Sequence, residues 1–91
     1  MSERVRVCAT VRGRVQMVGF RAFVVHHAKG LHGTVSNRPD GAVRCVVEGS
    51  RAAVDQLIAL LHEGPTYAHV ESVEVVREAF RGDLPPFTAS A

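Results

Sequence analysis

The chain has 91 residues, 46% of them apolar and 22% charged, the values of a globular domain and far from the disordered or fibrous classes. That length supports one core and excludes two ordinary domains. Eleven Lys and Arg against nine Asp and Glu leave a net charge of +2, too small for bulk charge to argue for a nucleic-acid or membrane surface.

The first predicted element is a strand. From Arg4 to Arg12, Val5, Val7, Ala9 and Val11 alternate with Arg6, Cys8, Thr10 and Arg12, as a strand with one buried face requires, and Gly13 is expected to end it. From Phe20 the period changes: Phe20, Phe23, Val24, Ala28 and Leu31 fall near helical spacing, predicting a helix over Phe20–Lys29 stopped by Gly30. The segment "GTVSNRPDGAVRCVVEG" reads as a hairpin, with a strand through Val35, a turn at "RPDG", and a strand placing Val43, Cys45 and Val47 on one face.

Ser50 is the expected N-cap of a second helix, in which Val54, Leu57, Ile58 and Leu61 keep the i, i+3, i+4, i+7 spacing. Gly64 and Pro65 close it. Val70–Val76 is again strand-like, with Val73 and Val75 as core positions. A short edge strand around Phe87 is possible, although Pro85 and Pro86 exclude a central one. The order is strand, helix, strand, strand, helix, strand. It predicts an α+β, ferredoxin-like split βαβ sandwich: an antiparallel sheet with both helices on one face, in a single domain over residues 1–91.

Cys8 and Cys45 form no Cys-x-x-Cys pair and lie on opposite phases of their strands, so both are expected to be reduced thiols on opposite faces of the sheet. No basic-then-apolar leader is expected ahead of the domain. No apolar run approaches the ~20 residues of a membrane span. The expectation is a cytoplasmic protein that binds neither nucleic acid nor membrane. His26 and His27 are adjacent on the first helix, and His32, His62 and His69 show no ligand spacing. Surface or helix-end roles are expected for all five, with His27 positioned to cap helix carbonyls.

The stretch "GRVQMVGFR", Gly13 to Arg21, carries the chemistry. A cation in the first turn of a helix is unfavourable by roughly 0.3 to 1 kcal/mol, because the unpaired N–H groups there already carry positive charge. Arg21 lies in that turn. The penalty reverses if an anion occupies the loop, where amides, dipole and guanidinium converge on the same oxygens. Gly13 and Gly19 would let the backbone approach such a ligand closely, and Arg14 would add to the field. On the residues alone an ordinary strand-to-helix loop with Arg21 in water stays open. So does a purely local role for Asn37, which precedes the turn.

Together, "GRVQMVGFR" and "GTVSNRPDGAVRCVVEG" resemble the two signature segments of acylphosphatases, small enzymes that hydrolyse the carboxyl-phosphate bond of acyl phosphates. The resemblance runs from the first strand to about Val76. It implies that Arg21 binds phosphate, that Asn37 orients the attacking water, and that backbone N–H groups of Val15, Gln16, Met17, Val18, Gly19, Phe20 and Arg21 form the cradle. It further implies no metal and no cofactor, an acyl phosphate as substrate, inorganic phosphate as product, and a monomer.

Three positions depart from the family pattern. Met17 stands where glycine is usual, Thr34 replaces an aromatic, and Ser36 replaces a cation or amide. A left-handed backbone at position 17 would cost Met roughly 1 to 2 kcal/mol. These departures support an alternative, a non-catalytic phosphate- or carboxylate-binding module of the same fold. Single-stranded RNA binding would need aromatics on the central strands, and "GAVRCVVEG" has none. The segment is also similar to the N-terminal module of hydrogenase-maturation proteins, but the expectation here is the stand-alone enzyme.

Overall fold

Alternation in the first strand becomes β1 (Arg4–Arg14) in the computed structural model, which describes residues 3–90. It is followed by α1 (Phe20–His27), β2 (His32–Asn37), β3 (Val43–Ser50), α2 (Arg51–Glu63), β4 (His69–Glu78) and β5 (Thr88–Ala89). The sheet order is β4-β1-β3-β2-β5, the ferredoxin-like arrangement expected, with β3 at the centre and β1 between it and the β4 edge. The pairs β1–β3, β1–β4 and β2–β3 are antiparallel. The expected all-antiparallel sheet is corrected at one edge: β5 runs parallel to β2, pairing Thr34 with Thr88 and Val35 with Ala89.

The period-2 face of β1, with Val35 on β2 and Val43, Cys45 and Val47 on β3, meets Phe20 and Val24 of α1 and Val54, Leu57 and Leu61 of α2 in one buried cluster. Ser50 caps α2 as expected, its Oγ accepting from the Ala53 N–H at 3.2 Å. Gly64 closes that helix through an N–H to the Leu60 carbonyl at 2.9 Å. Cys45 is buried, and burial pushes its thiol up to about 12. Cys8 lies on the other face, where the Arg44 Nε donates to its Sγ at 3.2 Å.

Several expectations are corrected by tertiary context. Gly13 does not end β1. The strand continues to Arg14 through an irregularity between Arg12 and Gly13 in the pairing with β4. With φ of 129°, Gly13 lies so close to β4 that a Cβ would collide with the His69 carbonyl. Its freedom therefore serves sheet packing rather than approach to a ligand. α1 stops at His27, two residues earlier than expected, with the Ala28 N–H still reaching the Val24 carbonyl at 2.9 Å. Val73 packs against the core, but Val75 is 40% exposed because β4 is the sheet edge and one flank meets water.

The open face of the sheet carries a buried ion network. Glu48, 2% exposed, accepts from Arg6 Nη1 at 3.2 Å, the Arg81 N–H at 2.8 Å and the Gly82 N–H at 3.1 Å. Arg6 also donates to Glu78 and Asp83, both at 3.0 Å. The segment after β4 is thereby fastened across the sheet on its way to β5. Burial alone would raise the Glu48 pKa, but the two amides and the guanidinium outweigh it and hold the carboxyl below its ordinary value.

A depressed folded-state pKa stabilises the fold above the unfolded value of about 4.3 and loses that contribution as pH falls through the folded value. Glu48→Gln is therefore expected to lower unfolding free energy by on the order of 3 kcal/mol at pH 7, as measured by urea denaturation. The gap from wild type should narrow below about pH 4.

Candidate active site

The loop between β1 and α1 is pinned from below by its apolar residues. Val15 and Phe20 are buried at its two ends, and Val18 packs against the core between them. Met17 and Gly19 are therefore lifted into solvent, and both take left-handed backbone, with φ of 64° and 80°. Alternation of left-handed with ordinary residues turns successive N–H groups toward one concavity, the arrangement that binds anions in backbone nests. Among the described residues, none of the N–H groups of residues 16–20 donates to a backbone carbonyl.

Gly19 is also the N-cap of α1, which has no side-chain cap and no acidic residue in its first turn. The helix therefore presents its positive end bare. Arg21 is half-buried in that turn, and its Nη1 donates to the Ser90 carbonyl at 2.9 Å. That contact uses one of five guanidinium donors.

Asn37, the last residue of β2, shares the helix-covered face with Val35 and reaches the same place. A cleft of about 410 Å3 is lined by Val15, Met17, Gly19, Phe20, Arg21, Ala22, Asn37 and Ala89. No carboxylate is among these side chains, so an anion entering it meets amides, one guanidinium and one amide side chain without opposing charge.

Arg21 and Asn37 are thus brought together, with five of the seven predicted cradle residues lining the cleft. Gln16 and Val18 contribute no lining, Val18 because it faces the core. Arg14 stands opposite His69 on β4 and does not line the cleft. Of the three departures, Met17 alone lies there. The two-residue period of β2 puts Thr34 and Ser36 on the face away from Asn37. Tyr, His and Cys side chains are likewise absent from the lining. His27 packs against Phe23 with ring centres 4.6 Å apart and planes tilted by 60°, and His32 Nδ1 lies 3.1 Å from the Leu84 carbonyl. No group of three or more His, Cys, Asp or Glu side chains converges among the described residues.

Two features were not read from the sequence. The Ser90 carbonyl reaches Arg21 because β5 runs beside β2, with the Ser90 N–H bonding the Val35 carbonyl at 2.9 Å. Gln16 sends its side chain away from the cleft, its Nε2 donating to the carbonyls of Arg38 at 2.7 Å and Ala42 at 3.0 Å. None of these three backbone acceptors carries a sequence signal.

The family model for acylphosphatase matches residues 7–88. An acylphosphatase of Anaeromyxobacter dehalogenans is 45% identical over 89 residues, covering 96% of each chain. The crystal structure of acylphosphatase from Bacillus subtilis superposes with a TM-score of 0.91 at 30% identity, covering 96% of this chain and 99% of that one. An acylphosphatase structure from Coxiella burnetii gives 0.89 at 32% identity, covering 96% and 93%.

The strain at Met17 is directly measurable. Its side chain is 100% exposed, so removing it loses no packing. Met17→Gly relieves roughly 1 to 2 kcal/mol of left-handed strain against about 0.5 to 1 kcal/mol of added chain entropy. Its melting midpoint is expected to rise by a few degrees in calorimetry, while Met17→Val, β-branched at positive φ, is expected to melt below wild type.

Proposed function

Since the chain belongs to the acylphosphatase family and is an acylphosphatase, we propose that Arg21 and Asn37, with the amides of residues 15–21, carry its hydrolysis of acyl phosphates. The observation that carries this assignment is the shared cleft. The bare start of α1 and the end of β2 open into one space, which contains both side chains.

The phosphoryl group sits in the backbone nest with its oxygens toward the amides and the Arg21 guanidinium. These donors are fixed before substrate arrives, so they stabilise charge as it redistributes without reorganising. The side-chain oxygen of Asn37 accepts a hydrogen bond from a water and holds it in line with the bond to be broken. Water attacks phosphorus, the bond from phosphorus to the acyl oxygen breaks, and its electron pair leaves on the carboxylate. The conjugate acid of that leaving group has a pKa of about 4, so it departs without a donated proton. The proton of the attacking water passes to a phosphate oxygen, giving inorganic phosphate and a free carboxylate.

Such a reaction needs position and charge stabilisation rather than an acid and a base, and the cleft offers the former two. The reading requires no metal or cofactor. It treats the chain as one acylphosphatase domain, acting on a small substrate through its phosphate. The departures at Thr34 and Ser36 lie on the opposite sheet face, which removes them as grounds for a module that binds without turnover.

With benzoyl phosphate as substrate, Arg21→Ala is expected to lower kcat/KM by ~10³-fold or more, the scale of losing a phosphate-stabilising arginine. Asn37→Ala should lower kcat while competitive inhibition by inorganic phosphate keeps its constant. Activity should persist in excess EDTA. An Arg21→Ala enzyme with wild-type kcat/KM would overturn the assignment.

A further inference from the structure

Gln16 belongs to the predicted cradle, yet its side chain is turned to a different task. Both protons of its amide nitrogen are engaged at one place, the carbonyls of Arg38 and Ala42, at 2.7 and 3.0 Å. Those carbonyls are part of a tightly closed turn. The Arg38 N–H donates to the Ala42 carbonyl at 2.8 Å, the Gly41 N–H to the Arg38 carbonyl at 3.1 Å, and the Ala42 N–H to Asp40 Oδ1 at 3.1 Å. Asp40 is itself tied to Arg12 of β1 at 3.2 Å. Its carboxyl lies below its ordinary pKa, chiefly through the Ala42 amide and then Arg12, so the turn is anchored by a charged group.

Arg38 directly follows Asn37. The two Gln16 bonds therefore join the loop that holds phosphate to the turn that begins where the water-orienting residue ends. No other side-chain hydrogen bond among the described residues connects loop 15–19 to residues 37–42. In-line attack depends on this separation, because a displacement of 1 Å between reacting groups can cost about 10²-fold in rate.

We propose that Gln16 is a positioning residue that sets the distance between the phosphate cradle and Asn37, and through it the alignment of water with phosphorus. The proposal rests on the assignment of Arg21 and Asn37 given above. Its chemistry is specific to an amide. Two donors on one nitrogen meet two carbonyl oxygens, a demand that glutamate cannot satisfy and that methionine of similar length leaves unmet.

Gln16→Met is expected to lower kcat for benzoyl phosphate by roughly 10- to 100-fold, with KM and the inhibition constant of inorganic phosphate changed less than about threefold, since the cradle amides are retained. Gln16→Glu, which sets carboxylate oxygens against the two carbonyls, should fall further. In an Asn37→Ala background, Gln16→Met should add little, because there is no oriented water left to misplace.

A normal kcat in Gln16→Met, in an enzyme that still depends on Arg21 and Asn37, would sink the positioning role alone. So would a full multiplicative loss in the Asn37→Ala background, or a loss confined to the melting midpoint and phosphate binding. Indifference to Asn37→Ala itself would overturn the underlying assignment and the positioning role with it. Should Gln16→Met not fold, Gln16→Asn, with its donors one methylene short, is judged by the same split between kcat and phosphate inhibition.

Discussion

The proposed active site depends on a conflict between backbone polarity and burial, resolved at the start of α1. The first amides of a helix have no partner within it, and here neither a capping side chain nor an acidic residue supplies one. Val15, Val18 and Phe20 are held by the core, which fixes the loop so that its unpaired amides face outward. Left-handed backbone at Met17 and Gly19 is the consequence of that pinning. Binding an anion would then satisfy donors that folding leaves unsatisfied and offset the cation in the first turn, while the strain at Met17 remains a cost to the fold.

Arg21 would add little if it moved freely, since an exposed guanidinium spends most of its time hydrated and loses entropy when it binds. The C-terminal segment limits that freedom. The chain leaves β4 at one edge of the sheet and must cross to β5 at the other, and the Glu48 carboxylate fastens it midway through the Arg81 and Gly82 amides. Further along, the Gly33 N–H bonds the Pro85 carbonyl at 2.8 Å and the Phe87 N–H bonds the Leu31 carbonyl at 3.2 Å. The Ser90 carbonyl then receives Arg21. A buried ion network on one face of the sheet and a cationic side chain on the other are thus joined by one strap of chain.

What was legible in the sequence follows from local physics. Period-2 and period-3.6 patterns gave the six principal elements and the core stripe, and the Ser50 cap and Gly64 stop were visible because capping is a local event. The missed features are those set by neighbours distant in sequence. Alternation assigns Val75 to a face but cannot show that β4 is an edge. Gly13 reads as a terminator from its type, whereas the closeness of β4 makes it an irregularity inside a longer strand. The parallel pairing of β5 requires knowing that the strap crosses the sheet. At the site, Arg21 stood out because a cation at a helix start is chemically odd, whereas Asn37, an ordinary residue before a turn, was singled out through the resemblance. Gln16 did not, because its acceptors are carbonyls that every residue has.

The economy of the cleft also sets what it can select. Its charge complement is one guanidinium and a set of amides, which on the proposed assignment would grip the phosphoryl group, and its remaining lining is Val15, Met17, Phe20, Ala22 and Ala89. With no acidic side chain among the described residues lining it, the cleft as assigned would favour phosphates whose leaving oxygen is stable as an anion, and simple alkyl esters, whose alkoxides are strong bases, would gain little from it. On that assignment, discrimination would reside in the chemistry of the bond rather than in recognition of the group behind it. Precision in placing water and phosphorus would then be the main quality the protein supplies to the rate, which is the physical basis for the positioning role proposed for Gln16, a side chain that would never meet the substrate.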